Sequence, residues 1–193
     1  MIKPKGNKKE QMLYIETGMQ RVLEILFIYP DKEFSLSDLA KEAGVAKANI
    51  GDMLDKFIEM NLIEITKLKK IWRIRAKRES WDFVKNKIVY NLDLIYKTDL
   101  LEFLNNHYQN PKSIILFGSF RRGEDISDSD IDIAVETDIG EYRIETLKEL
   151  HNLEKDIKRK ISIHLFSRGN IDLNLFNNIA NGIVLSGFLE VKK

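Results

Sequence analysis

Residues 113–136 read SIILFGSFRRGEDISDSDIDIAVE, and the rest of the chain is arranged around them. The apolar run Ile114-Ile115-Leu116-Phe117 has the length of a buried strand, and Gly118-Ser119 ends it abruptly. A charged segment follows, and then the alternating run Asp130-Ile131-Asp132-Ile133-Ala134-Val135. Residues i and i+2 of a strand share a face, so Asp130 and Asp132 point one way while Ile131, Ile133 and Val135 point into a core. Two carboxylates aimed at one point repel unless a cation lies between them. Mg²⁺ suits such a pair, because it takes one or two carboxylates and completes its shell with water and phosphate oxygens. Gly118 permits close backbone approach to a ligand, and Ser119 offers a hydroxyl and an N–H where a helix could begin. A phosphate cradle beside a metal site points to nucleotide chemistry.

Gly118-Ser119, ten residues, then Asp130-Ile131-Asp132 resembles the signature of the DNA polymerase beta-like nucleotidyltransferase superfamily. Arg122-Gly123 and Ser129-Asp130-Ile131-Asp132-Ile133 are similar to the matching runs of its small, minimal members. The resemblance implies transfer of a nucleoside monophosphate from an NTP, with ATP the expected donor, to a hydroxyl. Asp130 and Asp132 would hold Mg²⁺ (or Mn²⁺). Gly118 and Ser119 would hold the β- and γ-phosphates, with Arg121 or Arg122 neutralising them. Arg122 could equally be an ion-pair partner of Asp128 or Asp125. The superfamily's third carboxylate comes from the strand after the long helix. Here that strand is Ile161 to Phe166, and its positions of matching parity are Ser162 and His164. Neither is acidic. Three expectations follow: His164 acts as general base, the site works slowly with two carboxylates, or the domain binds nucleotide without turnover. His107 and His151 fall on helices as surface or packing residues.

The flanking sequence supplies the scaffold. Helices are expected over 10–28, over a short segment capped by Ser35 and Asp38 and closed by Gly44, over 47–60, 79–94, 98–108, 144–160 and 171–180. Asn61 fits a left-handed cap. A hairpin turns at Lys69-Lys70, and residues 182–187 are similar to the apolar tail that closes minimal nucleotidyltransferase domains. Three helices and a hairpin resemble the winged helix-turn-helix fold, over about 20–75. That resemblance implies DNA binding: Lys47 and Asn49, with Lys56, lie on the third helix, and the hairpin carries Lys67, Lys69, Lys70, Arg73 and Arg75. From Lys67 to Arg78 there are seven bases and no acid, an electrostatic footprint for nucleic acid. Asp52, Asp55 and Glu59 oppose it from the third helix. Trp72 reads as a core anchor.

The expected fold class is therefore α+β, with a winged helix-turn-helix domain at 10–78, a helical connector at 79–96 and a minimal nucleotidyltransferase domain with a mixed sheet at 97–193. Residues 1–79 hold 16 Lys and Arg against 12 Asp and Glu, and the remainder 15 against 18, as two units with different tasks would. With no cysteine, disulfides, thiolate metal sites and a cysteine nucleophile are excluded. No apolar run reaches the ~20 residues of a membrane helix, and the basic N-terminus lacks the apolar core of a signal peptide. A cytoplasmic protein without membrane partners is expected. Partners implied by resemblance are an NTP, DNA, a protein acceptor such as a toxin, and a second copy through the first helix. The rival reading is a DNA-binding regulator or antitoxin whose nucleotidyltransferase domain binds nucleotide without catalysing.

Overall fold

A computed structural model describes residues 17–69, 71–138 and 140–191. The chain divides into two units between Tyr90 and Asn91. In the first, Thr17 caps α1 (Gly18–Ile28) by accepting from the Gln20 N–H at 3.1 Å. The earlier part of the expected first helix lies outside the described residues. Ser35 caps α2 (Leu36–Glu42), accepting from the Asp38 N–H and donating to the Asp38 carboxylate at 2.7 Å, and Gly44 closes the helix at φ 62°. After α3 (Lys47–Glu59), Asn61 takes the left-handed position at φ 59°. The antiparallel strands β1 (Ile63–Leu68) and β2 (Ile71–Ala76) follow, with Ile65 opposite Ile74 and Lys67 opposite Trp72. Val22, Leu26, Leu39, Ile50, Leu54, Phe57 and Ile74 form the core, against which Trp72 packs part-buried.

Helix α4 (Trp81–Lys97) inserts Phe83 into that core, 5.2 Å from the Phe27 ring. Trp81, two residues earlier, is 69% exposed. Two residues along a helix turn through about 200°, so a face that buries Phe83 sends Trp81 to solvent.

The second unit holds a five-stranded mixed sheet. Helix α5 (Leu100–His107) is entered from Asp99, and the Thr98 hydroxyl donates backwards to the Ile95 carbonyl at 2.9 Å. Then come β3 (Ser113–Phe117), the one-turn α6 (Gly118–Arg122), β4 (Ile131–Glu136), β5 (Arg143–Glu145), α7 (His151–Ile157), β6 (Ile161–Phe166), α8 (Leu173–Ala180) and β7 (Ile183–Gly187). The strand order is β5-β6-β4-β3-β7, with β4 and β6 parallel and the other pairs antiparallel.

The helix expected over 144–160 is the largest correction. Ile144, Leu147, Leu150, Leu153 and Ile157 do follow helical spacing, but residues 143–145 pair with the edge of β6, placing Ile144 opposite His164. A 3₁₀ turn at Lys148–Leu150 precedes the true helix, because satisfying the backbone of β6 overrides side-chain period.

The sheet separates two apolar layers. Ile114, Leu116, Ile131, Ile133, Val135, Ile161, Ile163 and Leu165 lie in one, with Leu104 and Leu150. Ile115, Phe117, Ala134, Phe166 and Ile179 lie in the other. Asp132 belongs by alternation to this second face. Among the described residues no helix is long and apolar enough to cross a membrane.

Candidate active site

The C-terminal end of β3 meets the start of β4, with Phe117 paired to Asp132. The chain leaves β3 through Gly118, whose φ of 74° is left-handed. A Cβ there would overlap Oδ2 of Asp132 and stand 3.1 Å from its Cγ. Glycine is required twice over, by conformation and by the carboxylate beside it. Ser119 lies in the first turn of α6, and its carbonyl accepts from the Glu124 N–H at 3.0 Å, with Gly123 closing the turn at φ 68°. Arg122 pairs with Glu124 at 2.7 Å, both exposed, rather than with Asp128 or Asp125. Asp125 is instead buried against Arg159 at 3.4 Å and accepts from Asn91 at 2.9 Å. The Arg121 Nε is buried without a hydrogen-bond partner.

Asp130 sits one residue before β4, and Asp132 is in register with Ser162 of β6. Ser162 donates to Oδ2 of Asp130 at 2.9 Å, and Nε2 of His164 lies 3.3 Å from Oδ1 of Asp132. The four side chains thus occupy one face of the two parallel strands. Each aspartate keeps a second oxygen outside these bonds, Oδ1 of Asp130 and Oδ2 of Asp132. Two half-engaged carboxylates fit a hard cation that draws its other ligands from water and phosphate. Among the described residues no group of three or more His, Cys, Asp or Glu side chains is placed to hold a metal.

His164 is nearly buried, 8% exposed. The Phe117 and His164 rings pack in a T-shape with centroids 4.8 Å apart, and the Tyr142 hydroxyl lies 2.7 Å from Nδ1 of His164. A carboxylate only accepts, so one ring proton on Nε2 satisfies Asp132 and leaves Nδ1 to accept from Tyr142. Burial first, and the charge of Asp132 second, push the Tyr142 phenol above its ordinary pKa. The sequence reading did not single out Tyr142. It precedes the helix expected over 144–160, in a stretch given no element, 22 residues from its partner, and no local spacing joins the two.

Among the described residues, bases of the hairpin divide between the two faces of the ribbon. Alternation sends Arg73 and Arg75 to one face of the ribbon, where both pair with Glu33, at 3.3 and 2.5 Å. Lys67 points to the other, its ammonium 4.1 Å from the Trp72 ring centroid. Lys69 sits in the turn at φ 53°, Lys47 and Asn49 are exposed in the first turn of α3, and Lys70 lies outside the described residues.

A Methanocaldococcus jannaschii protein provisionally named a protein adenylyltransferase is 46% identical over 61 residues, a match that covers 28% of this chain and 61% of that relative. No solved structure gives a significant match. Residues 97–180, the segment that carries Gly118, Asp130, Asp132 and His164, match the family model described as a nucleotidyltransferase domain.

Proposed function

We propose that this unit transfers a nucleoside monophosphate from an NTP, ATP first among them, to a hydroxyl acceptor, and that Asp130 and Asp132 hold Mg²⁺ or Mn²⁺ for that reaction. The carrying observation is the pair itself: two carboxylates on one sheet face, each with an oxygen to spare, beside a glycine that has no room for a side chain. A divalent ion bound there supplies charge neutralisation at the triphosphate and the attacking oxygen. Ser119 binds phosphate through its hydroxyl, and Arg121 or Arg122 lies in the same turn to offset phosphate charge. Ser162 and His164 orient the two aspartates. The matched relative's name favours a protein as acceptor.

The test is incubation with labelled ATP, Mg²⁺ and cell lysate. Transfer of label is expected from the wild-type protein and at least ~10³-fold less from Asp130→Ala/Asp132→Ala, the several kcal/mol of charge stabilisation that a metal contributes. Equal label from both proteins refutes the reading.

A second reading is favoured by Ser162 and His164, which stand where the resemblance places a third acid: a nucleotide-binding domain without turnover, attached to a DNA-binding regulator. Ser162→Asp probes that position: it places a carboxylate in register with Asp132, so restored or raised turnover shows that catalysis is degraded there, whereas an unchanged or lower rate shows that the serine is not a lost acid. For the first unit we infer a winged helix-turn-helix role on nucleic acid through Lys47, Asn49, Lys67, Lys69, Lys70, Arg73 and Arg75. Affinity for duplex DNA should fall linearly with log salt, and removing one phosphate-contacting base should reduce that slope by about 1. Because Glu33 holds Arg73 and Arg75, Glu33→Gln should tighten binding. A flat salt response counts against the nucleic-acid role.

A further inference from the structure

We infer that Tyr142 is itself an acceptor: the chain transfers a nucleoside monophosphate to its own phenol. This rests on the transfer proposed above. The arrangement that nucleophilic catalysis requires is a hydroxyl within reach of a base whose far side is held by a third group. Here the Tyr142 oxygen lies 2.7 Å from Nδ1 of His164, and Nε2 of the same ring lies 3.3 Å from Asp132. The Phe117 ring packs against the same imidazole in a T-shape. Both nitrogens are engaged, so the proton that Nδ1 is placed to receive is the phenolic one. The oxygen is thereby two hydrogen bonds from a carboxylate of the pair.

The backbone on both sides of Tyr142 is tied to its surroundings. The carbonyl of Gly140, two residues earlier, accepts from Asn170 at 2.6 Å and from Ser167 at 3.2 Å, and Arg143, the next residue, begins the pairing of β5 with β6.

In the step, a bond forms between the Tyr142 oxygen and the α-phosphorus of the NTP. The bond from that phosphorus to the bridging oxygen breaks, and pyrophosphate leaves with the electron pair. The phenolic proton passes to Nδ1 of His164. The product is a tyrosyl nucleoside-monophosphate ester, and no oxidant or reductant takes part.

The purified full chain is incubated with Mg²⁺ and each of ATP, GTP, CTP and UTP in separate reactions, and read by intact mass and peptide mapping. One nucleoside-monophosphate adduct on Tyr142 is expected with at least one nucleotide. It should be absent from Tyr142→Phe and from Asp132→Asn, and present in Tyr96→Phe, whose ring is exposed. Its first-order rate should not change on tenfold dilution, since phenol and site share one chain. A rate that falls with dilution overturns transfer within the chain. Aspartate-dependent transfer to another residue or to a lysate protein, with Tyr142 unmodified, overturns the inference and leaves the proposed reaction standing. No aspartate-dependent chemistry with any nucleotide overturns both.

Discussion

Gly118→Ala is expected to lower nucleotidyl transfer about 10²-fold or more while the protein stays folded. Two effects combine. At φ 74° a residue with a Cβ costs about 1–2 kcal/mol, which a domain of this size tolerates. The new methyl then meets Asp132, overlapping Oδ2 and standing 3.3 Å from its Cβ. The obstructing atoms are the end of a side chain that can rotate, so the backbone need not yield and the carboxylate turns away instead. A displacement near 1 Å at a reacting group can cost about 10²-fold. The measurement pairs label transfer from ATP with thermal unfolding. A fall of several degrees in Tm with abolished transfer fits. Retained activity would show that Asp132 can leave this position without consequence, and the proposed metal pair would fail with it.

Arg159→Met should be the most destabilising single change in the second unit, by roughly 3–5 kcal/mol, because it removes the guanidinium from a carboxylate that stays buried. The side chains of Arg159 and Asp125 are 3% and 1% exposed. Around them Asn91 donates to Asp125 at 2.9 Å and to the Phe120 carbonyl at 2.7 Å, and Arg159 donates to the carbonyls of Ser127 and Lys158 at 3.1 and 3.0 Å. This network spans the loop that delivers Asp130 to β4. The double variant Asp125→Leu/Arg159→Met should recover part of the loss, since the carboxylate facing the guanidinium is removed with it. Urea unfolding of the three proteins decides it. As a contrast, Glu124→Gln, which breaks the exposed pair with Arg122, should change stability by under about 1 kcal/mol. A double variant no more stable than Arg159→Met would show that packing, not charge, sets the cost.

The comparison of those two arginines shows where sequence reading stops. Arg122 and Asp125 are three residues apart, and proximity suggested a pair. The fold gives Arg122 to Glu124 and brings Arg159 to Asp125 from 34 residues away. Likewise the apolar spacing from Ile144 onwards is real, yet its first residues are drawn into an edge strand. Local period reports which side chains prefer burial, not which backbone needs a partner.

Much of the site was nonetheless legible. The two-residue alternation of Asp130-Ile131-Asp132-Ile133 separates carboxylates from core with no reference to distant chain, and a glycine directly after a buried strand signals a close approach. Helix caps at Ser35, Gly44 and Asn61 are equally local, since each depends on one residue's hydrogen bonds or φ. Only tertiary structure decided what faces the pair. Parallel pairing of β4 with β6 sets Asp132 beside Ser162 and carries His164 to it, and the return of β5 along β6 brings Tyr142 onto the far side of that imidazole. Register between strands is a property of two segments at once, and no spacing within either one encodes it.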